Sequence, residues 1–291
     1  LNFEQDYPNT KVIKLEQNYR STKKILDAAY HVVSNNDYRK EKKLWTDNPS
    51  GEDISLYKAQ NGKDEAKYIV NNIKGLEDED KSLDDFAILY RTNAQSRNLE
   101  EQLLKENIPY RIIGGFKFYE RKEIQDVLAY LRVLYNPEDD VSLERIINEP
   151  SRGIGPTTLE RLKSYASLHG LNLLEAVYNV EEIETISTRF SNKVNNFAEI
   201  MQYLSSRKEE LSIADLTKEL LEESHYLQAL RDKNTEEAKD RIDNIKELLA
   251  DMEEFQEGNE VAGLGEYLEK VALIADVDNL DESQEAVVLM T

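Results

Sequence analysis

The chain has 291 residues, enough for one large domain or two ordinary ones, with 58 acidic and 37 basic side chains and a net charge of −21 at pH 7. Hydrophobic content of 40% with no apolar run of membrane-spanning length excludes a transmembrane protein, and no basic leader with an apolar stretch marks a signal peptide. The absence of cysteine excludes disulfides and thiolate chemistry and fits a reducing cytoplasm, while His31, His169 and His225 have no metal-ligand spacing.

The charge is unevenly spread. Residues 1–135 carry 22 basic and 23 acidic side chains, whereas residues 136–291 carry 15 and 35. Such acidity argues against nucleic-acid binding by bulk electrostatics. Any anion site is therefore expected in the first half or in a local exception within the second.

In chain order, Lys11-Val12-Ile13-Lys14-Leu15 reads as a short buried strand. Ser21 then stands where it can cap a helix, whose apolar residues Ile25, Leu26, Ala29, Val32 and Val33 recur at helical spacing. Ile54 to Tyr57 alternates like a strand, and Asp64 to Lys74 reads as a helix that Gly75 can end. Asp85 to Tyr90 is a buried strand followed by a helix from about Gln95 to Asn107, and Tyr110 to Ile113 is a further strand stopped by Gly114-Gly115. This alternation predicts a mostly parallel sheet with helices on its faces.

From about residue 122 to residue 275 only helical patterns occur, with Ile124, Val127, Leu128, Leu131 and Leu134 on one face of the first. Ala286 to Met290 is then a bare apolar strand more than 170 residues from the nearest sheet pattern. A lone strand of this kind invites aggregation unless it is paired. The economical expectation is a helical domain inserted into an α/β domain, with the last strand returning to the first sheet. A separate helical domain with a hydrophobic tail is the alternative. A strand that stops at Thr291, with no loop and helix after it, reads as a cut chain.

Four stretches carry groups suited to chemistry. In "LEQNYRST", residues 15–22, Tyr19 and Arg20 stand at a strand-to-helix corner, where α/β sheets present ligand-binding groups. The guanidinium forks onto phosphate oxygens and the ring can stack on a base. In "LYRTNAQSR", residues 89–97, a strand ends in a dense run of donors, Arg91, Thr92, Asn93 and Arg97 among them. Such a run suits either a sugar-phosphate chain or a helix cap.

"GGFKFYERKEI", residues 114–124, interleaves Phe116, Phe118 and Tyr119 with Lys117, Arg121 and Lys122. Stacking plus charge suits single-stranded nucleic acid, and the same aromatics suit an interdomain hinge. "SRGIGPTTLERLKSY", residues 151–165, is a local basic island of Arg152, Arg161 and Lys163. There Gly153-Ile154-Gly155 forms a turn and Pro156 opens a helix. Backbone N–H groups of that helix start, with the Thr157 and Thr158 hydroxyls, can take a phosphate of any base sequence. The chain has no Gly-x-x-x-x-Gly-Lys-Ser/Thr loop and no paired acidic motif for magnesium, so a nucleotide met by Arg20 must be held by another domain.

Together these stretches resemble the UvrD/PcrA/Rep family of superfamily 1 DNA helicases. "LEQNYRST", "FAILYRTNAQSR", "PYRIIGGFKFYERKEIQDVLAYLR", "RIINEPSRGIG" and the terminal "VVLMT" occur in family order, and the likeness covers nearly the whole chain. Residues 170–275 match in helical character more than in motifs.

The resemblance implies an α/β fold: a RecA-like parallel sheet with helices on both faces, incomplete as a P-loop NTPase-like domain and interrupted by a large all-helical insertion. Its implied divisions are residues 1–117 (first part of the second motor domain), 118–276 (helical insertion) and 277–291 (return strand). It implies a piece of an ATP-dependent 3′-to-5′ DNA helicase. In that piece Tyr19 stacks on adenine, Arg20 reaches the γ-phosphate as the catalytic arginine, and Arg91 and Asn93 contact single-stranded DNA. Gly153 and Gly155, with Thr157 and Thr158, are then expected at duplex backbone and Arg121 at DNA.

The implied cofactors are ATP and Mg, held mainly by a first motor domain that this sequence lacks. The implied partners are single-stranded and duplex DNA, that motor domain, and repair or transcription proteins. No metal site is expected within the chain itself, and the piece alone is expected not to turn over ATP. A non-catalytic DNA-binding or regulatory helical module, and the motor subunit of a helicase–nuclease complex, are the other readings.

Overall fold

Residues 86–90 are an apolar run too short for a helix, residues 110–113 are a short segment rich in β-formers, and a strand forms within each. In the computed structural model, which describes residues 7, 9–36, 42–77, 81–258, 263–277 and 284–291, β1 (Ala87–Leu89) and β2 (Tyr110–Ile113) flank the terminal strand β3 (Val287–Met290). All pairs are parallel: Ile88 lies opposite Leu289 on one side, and Ile112 lies opposite Leu289 on the other. The bare apolar strand at the end of the sequence is thus the centre of the sheet. Its main-chain groups are paired on both edges, which removes the aggregation hazard of an exposed strand.

The chain divides into two compact units, Leu1–Ala59 and Gln60–Thr291. The first contains α1 (Lys23–Val33) and one isolated parallel bridge, Gln17 to Trp45. Helix α1 begins after Thr22, not Ser21, and Thr22 makes no side-chain cap bond. Of its apolar residues only Leu26 is buried. The strands expected at Lys11–Leu15 and Ile54–Tyr57 do not form: Ile13, Leu15 and Leu56 are exposed, and no ladder pairs either segment. Period-2 alternation marks a segment able to join a sheet, but a strand also needs a neighbour's N–H and C=O groups.

In the second unit, α2 (Gly62–Glu77) and α3 (Ser96–Lys105) cover one face of the sheet. Ala66, Val70, Ile73, Leu99 and Leu103 form a core with Ile88, Tyr110, Val287 and Leu289. Gly75 does not end α2 but lies within it. On the opposite face Leu89 and Ile113 are exposed, so the expected helices on both faces reduce, among the described residues of this unit, to a layer on one.

The remaining helices are α4 (Lys122–Tyr135), α5 (Asp140–Ile146), α6 (Pro156–His169), α7 (Leu173–Tyr178), α8 (Thr188–Arg207), α9 (Ile213–Glu223), α10 (Tyr226–Lys233), α11 (Glu236–Gly258) and α12 (Leu264–Val277). They share a second core, separate from that of the sheet, running from Phe118 to Val271. Helix α4 is its hub, buried nearly all round from Ile124 to Leu134. The division expected near residue 277 borders residues 278–283, which lie outside the described residues.

Candidate nucleotide and nucleic-acid contacts

In the first unit, Asn18 shapes the corner that carries Tyr19 and Arg20. Its side-chain oxygen accepts from the Arg20 N–H at 3.0 Å and the Ser21 N–H at 2.8 Å, an Asx-type turn that leads the chain from the Gln17 bridge into α1. Asn48 donates to the carbonyls of Tyr19 (3.3 Å) and Ser21 (3.2 Å), clamping the same turn from the other side. Gly51 takes φ +78°, and a Cβ there would lie 2.5 Å from the Thr22 hydroxyl, so only glycine fits beside the start of α1. The Tyr19 ring is exposed, and its hydroxyl donates to Gln17 at 2.8 Å. Arg20 makes no ion pair among the described residues. A fixed backbone thus presents a bare ring and an unpaired guanidinium side by side. Asn18 and Asn48 were not singled out in the sequence, although an asparagine directly before the pair is a turn signal.

In the second unit, because all three strands are parallel, their carboxyl ends share one edge. Past β1 come Arg91, which is exposed, and Asn93, which opens a short 3₁₀ turn to Gln95. The Gln95 side chain accepts from the N–H groups of Arg91 (2.9 Å) and Thr92 (3.1 Å), fixing the loop. Past β2 come Gly114, at φ +81°, and Gly115, whose Cα lies beside the Asn93 carboxamide: a Cβ built there would be 3.8 Å from its oxygen. Phe116 follows, exposed. The structure therefore gathers Arg91, Asn93 and the paired glycines on the sheet edge where α/β proteins bind ligands.

Other expected contacts point inward. Arg121 is buried, donating to Asn244 (2.9 Å) and Ser96 (2.7 Å) beside Glu100, so its guanidinium is engaged inside the fold and not presented at the surface. Burial holds its guanidinium below the ordinary arginine range against the pull of Glu100 and Glu123. Glu100 is pushed up by burial, resisted by bonds from Ser96, the Phe118 N–H and Tyr110 and by the Arg121 charge. Phe118 and Tyr119 are core residues, packed inside the fold and not presented for stacking. Arg97, the second arginine of the donor run, is also buried and paired with Glu247 (2.8 Å) and Asp251 (3.0 Å).

At the Gly-Ile-Gly turn, Gly153 takes φ +71° while Gly155, the N-cap of α6, has an extended φ of −89°. A Cβ at Gly155 would meet nothing within 4 Å, so the turn's need for glycine rests on Gly153. Thr158 is buried, and its N–H and that of Leu159 both donate to the Gly155 carbonyl. A phosphate therefore has the N–H groups of Gly153, Gly155 and Thr157 to meet, but not the Thr158 hydroxyl. The basic island is largely spent internally: Lys163 pairs with Glu144 at 2.7 Å, and Arg161 donates to the Thr185 carbonyl.

No group of three or more His, Asp or Glu among the described residues is arranged to hold a metal ion, and no described helix is long and apolar enough to cross a membrane.

Residues 13–291 match the family described as the UvrD-like helicase C-terminal domain. The chain belongs to the UvrD-like helicases. It is 46% identical to the ATP-dependent DNA helicase PcrA of Bacillus subtilis, and 43% identical to the proteins of the same name from Leuconostoc citreum and Staphylococcus aureus. Each likeness covers the whole of this chain and 40% of the relative. The resemblance carried by the five quoted motifs therefore holds at family level. The chain spans less than half the length of these relatives.

Proposed function

We propose that this chain is the C-terminal motor portion of an ATP-dependent 3′-to-5′ DNA helicase. In this reading residues 1–117 and 277–291 form a RecA-like domain, and residues 118–276 form a helical insertion. ATP and its magnesium are held mainly by an N-terminal motor domain, and the setting is the cytoplasm, with repair or transcription proteins as partners.

Tyr19 supplies a stacking face for adenine. Arg20 supplies positive charge against the negative charge that develops on the transferred γ-phosphoryl group, the part played by an arginine finger. Bound magnesium would neutralise phosphate charge, and no residue described here is arranged to hold it. Arg91 and Asn93 grip the backbone of a single strand, and the Gly114-Gly115 pair lets that strand approach the main chain closely. The Gly153 turn meets duplex phosphates through main-chain N–H groups.

The observation that carries this reading is the shared carboxyl edge of the parallel sheet. It brings Arg91 and Asn93 together with Gly114 and Gly115 in a family whose members are named DNA helicases. Titration of a fluorescent oligo-dT into the chain tests it. Arg91→Ala should weaken binding about tenfold and flatten the salt dependence by about one phosphate's worth. An unchanged affinity and slope would remove the sheet edge from the strand path.

A further inference from the structure

Beside the Gly153 turn lies an open cavity of about 590 Å³ between α8 and the corner that joins α9 to α10. Arg152 and Lys193 both line it, and neither makes an ion pair among the described residues. Arg152 donates only to neutral acceptors: the carbonyls of Ile146 (3.1 Å), Glu149 (3.0 Å), Pro150 (3.3 Å) and Ser224 (3.4 Å), and the Tyr130 hydroxyl (2.7 Å). Lys193 donates to the Gly153 carbonyl at 3.3 Å and sits 5.3 Å from the centre of the Phe190 ring.

In a stretch with 35 carboxylates to 15 cations, both basic side chains at this cavity are without a carboxylate partner among the described residues. Lys163, Arg207 and Lys218 in the same stretch each have one. Asp232 also lines the cavity, but its carboxylate accepts from Gln228 at 2.6 Å.

A second observation points the same way. Ser224 is only 3% exposed and lines the same cavity, and its hydroxyl has no hydrogen-bond partner among the described residues. Leaving such a group unbonded destabilises the fold, so buried hydroxyls are normally satisfied. Two uncompensated cations and an unspent donor around one cavity are the complement of a tetrahedral oxyanion.

We propose that this cavity takes a phosphate of the DNA backbone, next along the strand from the phosphate met by the Gly153 turn. Ser224 donates its hydroxyl to it, Lys193 pairs with it across the mouth, and Arg152 adds charge from behind while its own N–H groups stay on the carbonyls. Lys193 joins the two contacts physically, since its ammonium already rests on the Gly153 carbonyl. The proposal rests on the reading of that turn as a duplex contact. It extends a three-residue touch into a short phosphate track on an otherwise acidic surface.

The test measures binding of a fluorescent DNA hairpin, and of oligo-dT, to the 291-residue chain and its Lys193→Gln, Ser224→Ala and Gly153→Val variants over a range of salt. Lys193→Gln should weaken hairpin binding about three- to tenfold and lower the salt slope by about one phosphate, with oligo-dT affinity unchanged. Ser224→Ala should weaken hairpin binding severalfold without lowering the thermal midpoint, because the buried hydroxyl it removes has no partner among the described residues. If Gly153→Val weakens hairpin binding and the other two variants do not, the turn stands and the cavity is overturned. If Lys193→Gln and Ser224→Ala act and Gly153→Val does not, the cavity stands and the turn reading falls.

A competition arm separates DNA from a free phosphate. Inorganic phosphate should displace the hairpin from wild type and lose that effect in Lys193→Gln. Phosphate that binds at Ser224, seen by NMR shifts, without displacing the hairpin would overturn the assignment to DNA.

Discussion

Arg20→Ala is expected to lower ATP turnover on the order of 10³-fold in a chimera in which this chain replaces the matched part of the Bacillus subtilis relative, while DNA affinity stays nearly unchanged. The expectation follows from the corner itself. Asn18 and Asn48 fix the main chain on both sides of Arg20, so the side chain is delivered to one place, and no carboxylate among the described residues competes for it. A guanidinium held ready and unpaired loses little when it meets developing phosphoryl charge. Tyr19→Ala should act differently, raising KM for ATP with a smaller change in kcat, because stacking serves bound substrate and transition state alike. Single-turnover measurements check both. An Arg20→Ala rate within about tenfold of wild type, equivalent to about 1.4 kcal/mol, would mean that Arg20 does not contact the transition state.

Arg97→Ala is expected to destabilise the second unit by about 3–5 kcal/mol, the cost of breaking a buried ion pair from one side. Arg97 on α3 joins the sheet layer to the helical part through Glu247 and Asp251 on α11. Asp251 in turn accepts from Lys270 (2.7 Å), Tyr267 (2.8 Å) and Tyr119 (3.0 Å). Removing Arg97 leaves Glu101, Glu247 and Asp251 each short of a partner at the junction. An exposed pair such as Lys239 with Glu236, at 2.6 Å, should contribute far less by comparison. Urea denaturation at neutral pH measures the difference, and a loss below about 1 kcal/mol would show that the junction does not depend on this network.

The same network sets an acid limit. Burial opposes ionisation of Asp251, but the charges of Lys270 and Arg97 and the hydrogen bonds it accepts hold its carboxyl below the ordinary range. Its contribution is therefore complete above the unfolded carboxyl's pKa, about 3.9, and is lost as pH falls through the lower folded value.

Much of the sheet was legible because its strands are bare apolar runs with turn residues after them. Ala286 to Met290 in particular has no other satisfactory place than between two strands. The segments at 11–15 and 54–57 carry the same alternation and form nothing, since alternation reports a capacity to pair and not the presence of a partner. The site residues divide in the same way. Tyr19, Arg20, Arg91 and Asn93 sit at turns that local residues shape, and local residues can be read.

Arg97 and Arg121 stand in equally basic, equally polar surroundings in the sequence. What decides that they face inward is Asp251 and Asn244, more than 120 residues away. Gly-Ile-Gly announced a turn without saying which glycine takes the positive φ. That depends on Asn148, whose side chain accepts from the Arg152 and Ile154 N–H groups and closes the loop around Gly153. Ser224 and Lys193 gave no signal at all, because an unsatisfied donor becomes visible only once its surroundings are known.

The most direct test of the central claim is the wild-type chimera itself, assayed for ATP turnover with and without oligo-dT and for unwinding of a duplex with a 3′ tail. The account predicts turnover strongly stimulated by single strands, together with unwinding, both lost when Arg20 is replaced by alanine. A folded chimera that binds ATP and DNA but shows no DNA-stimulated turnover would contradict it.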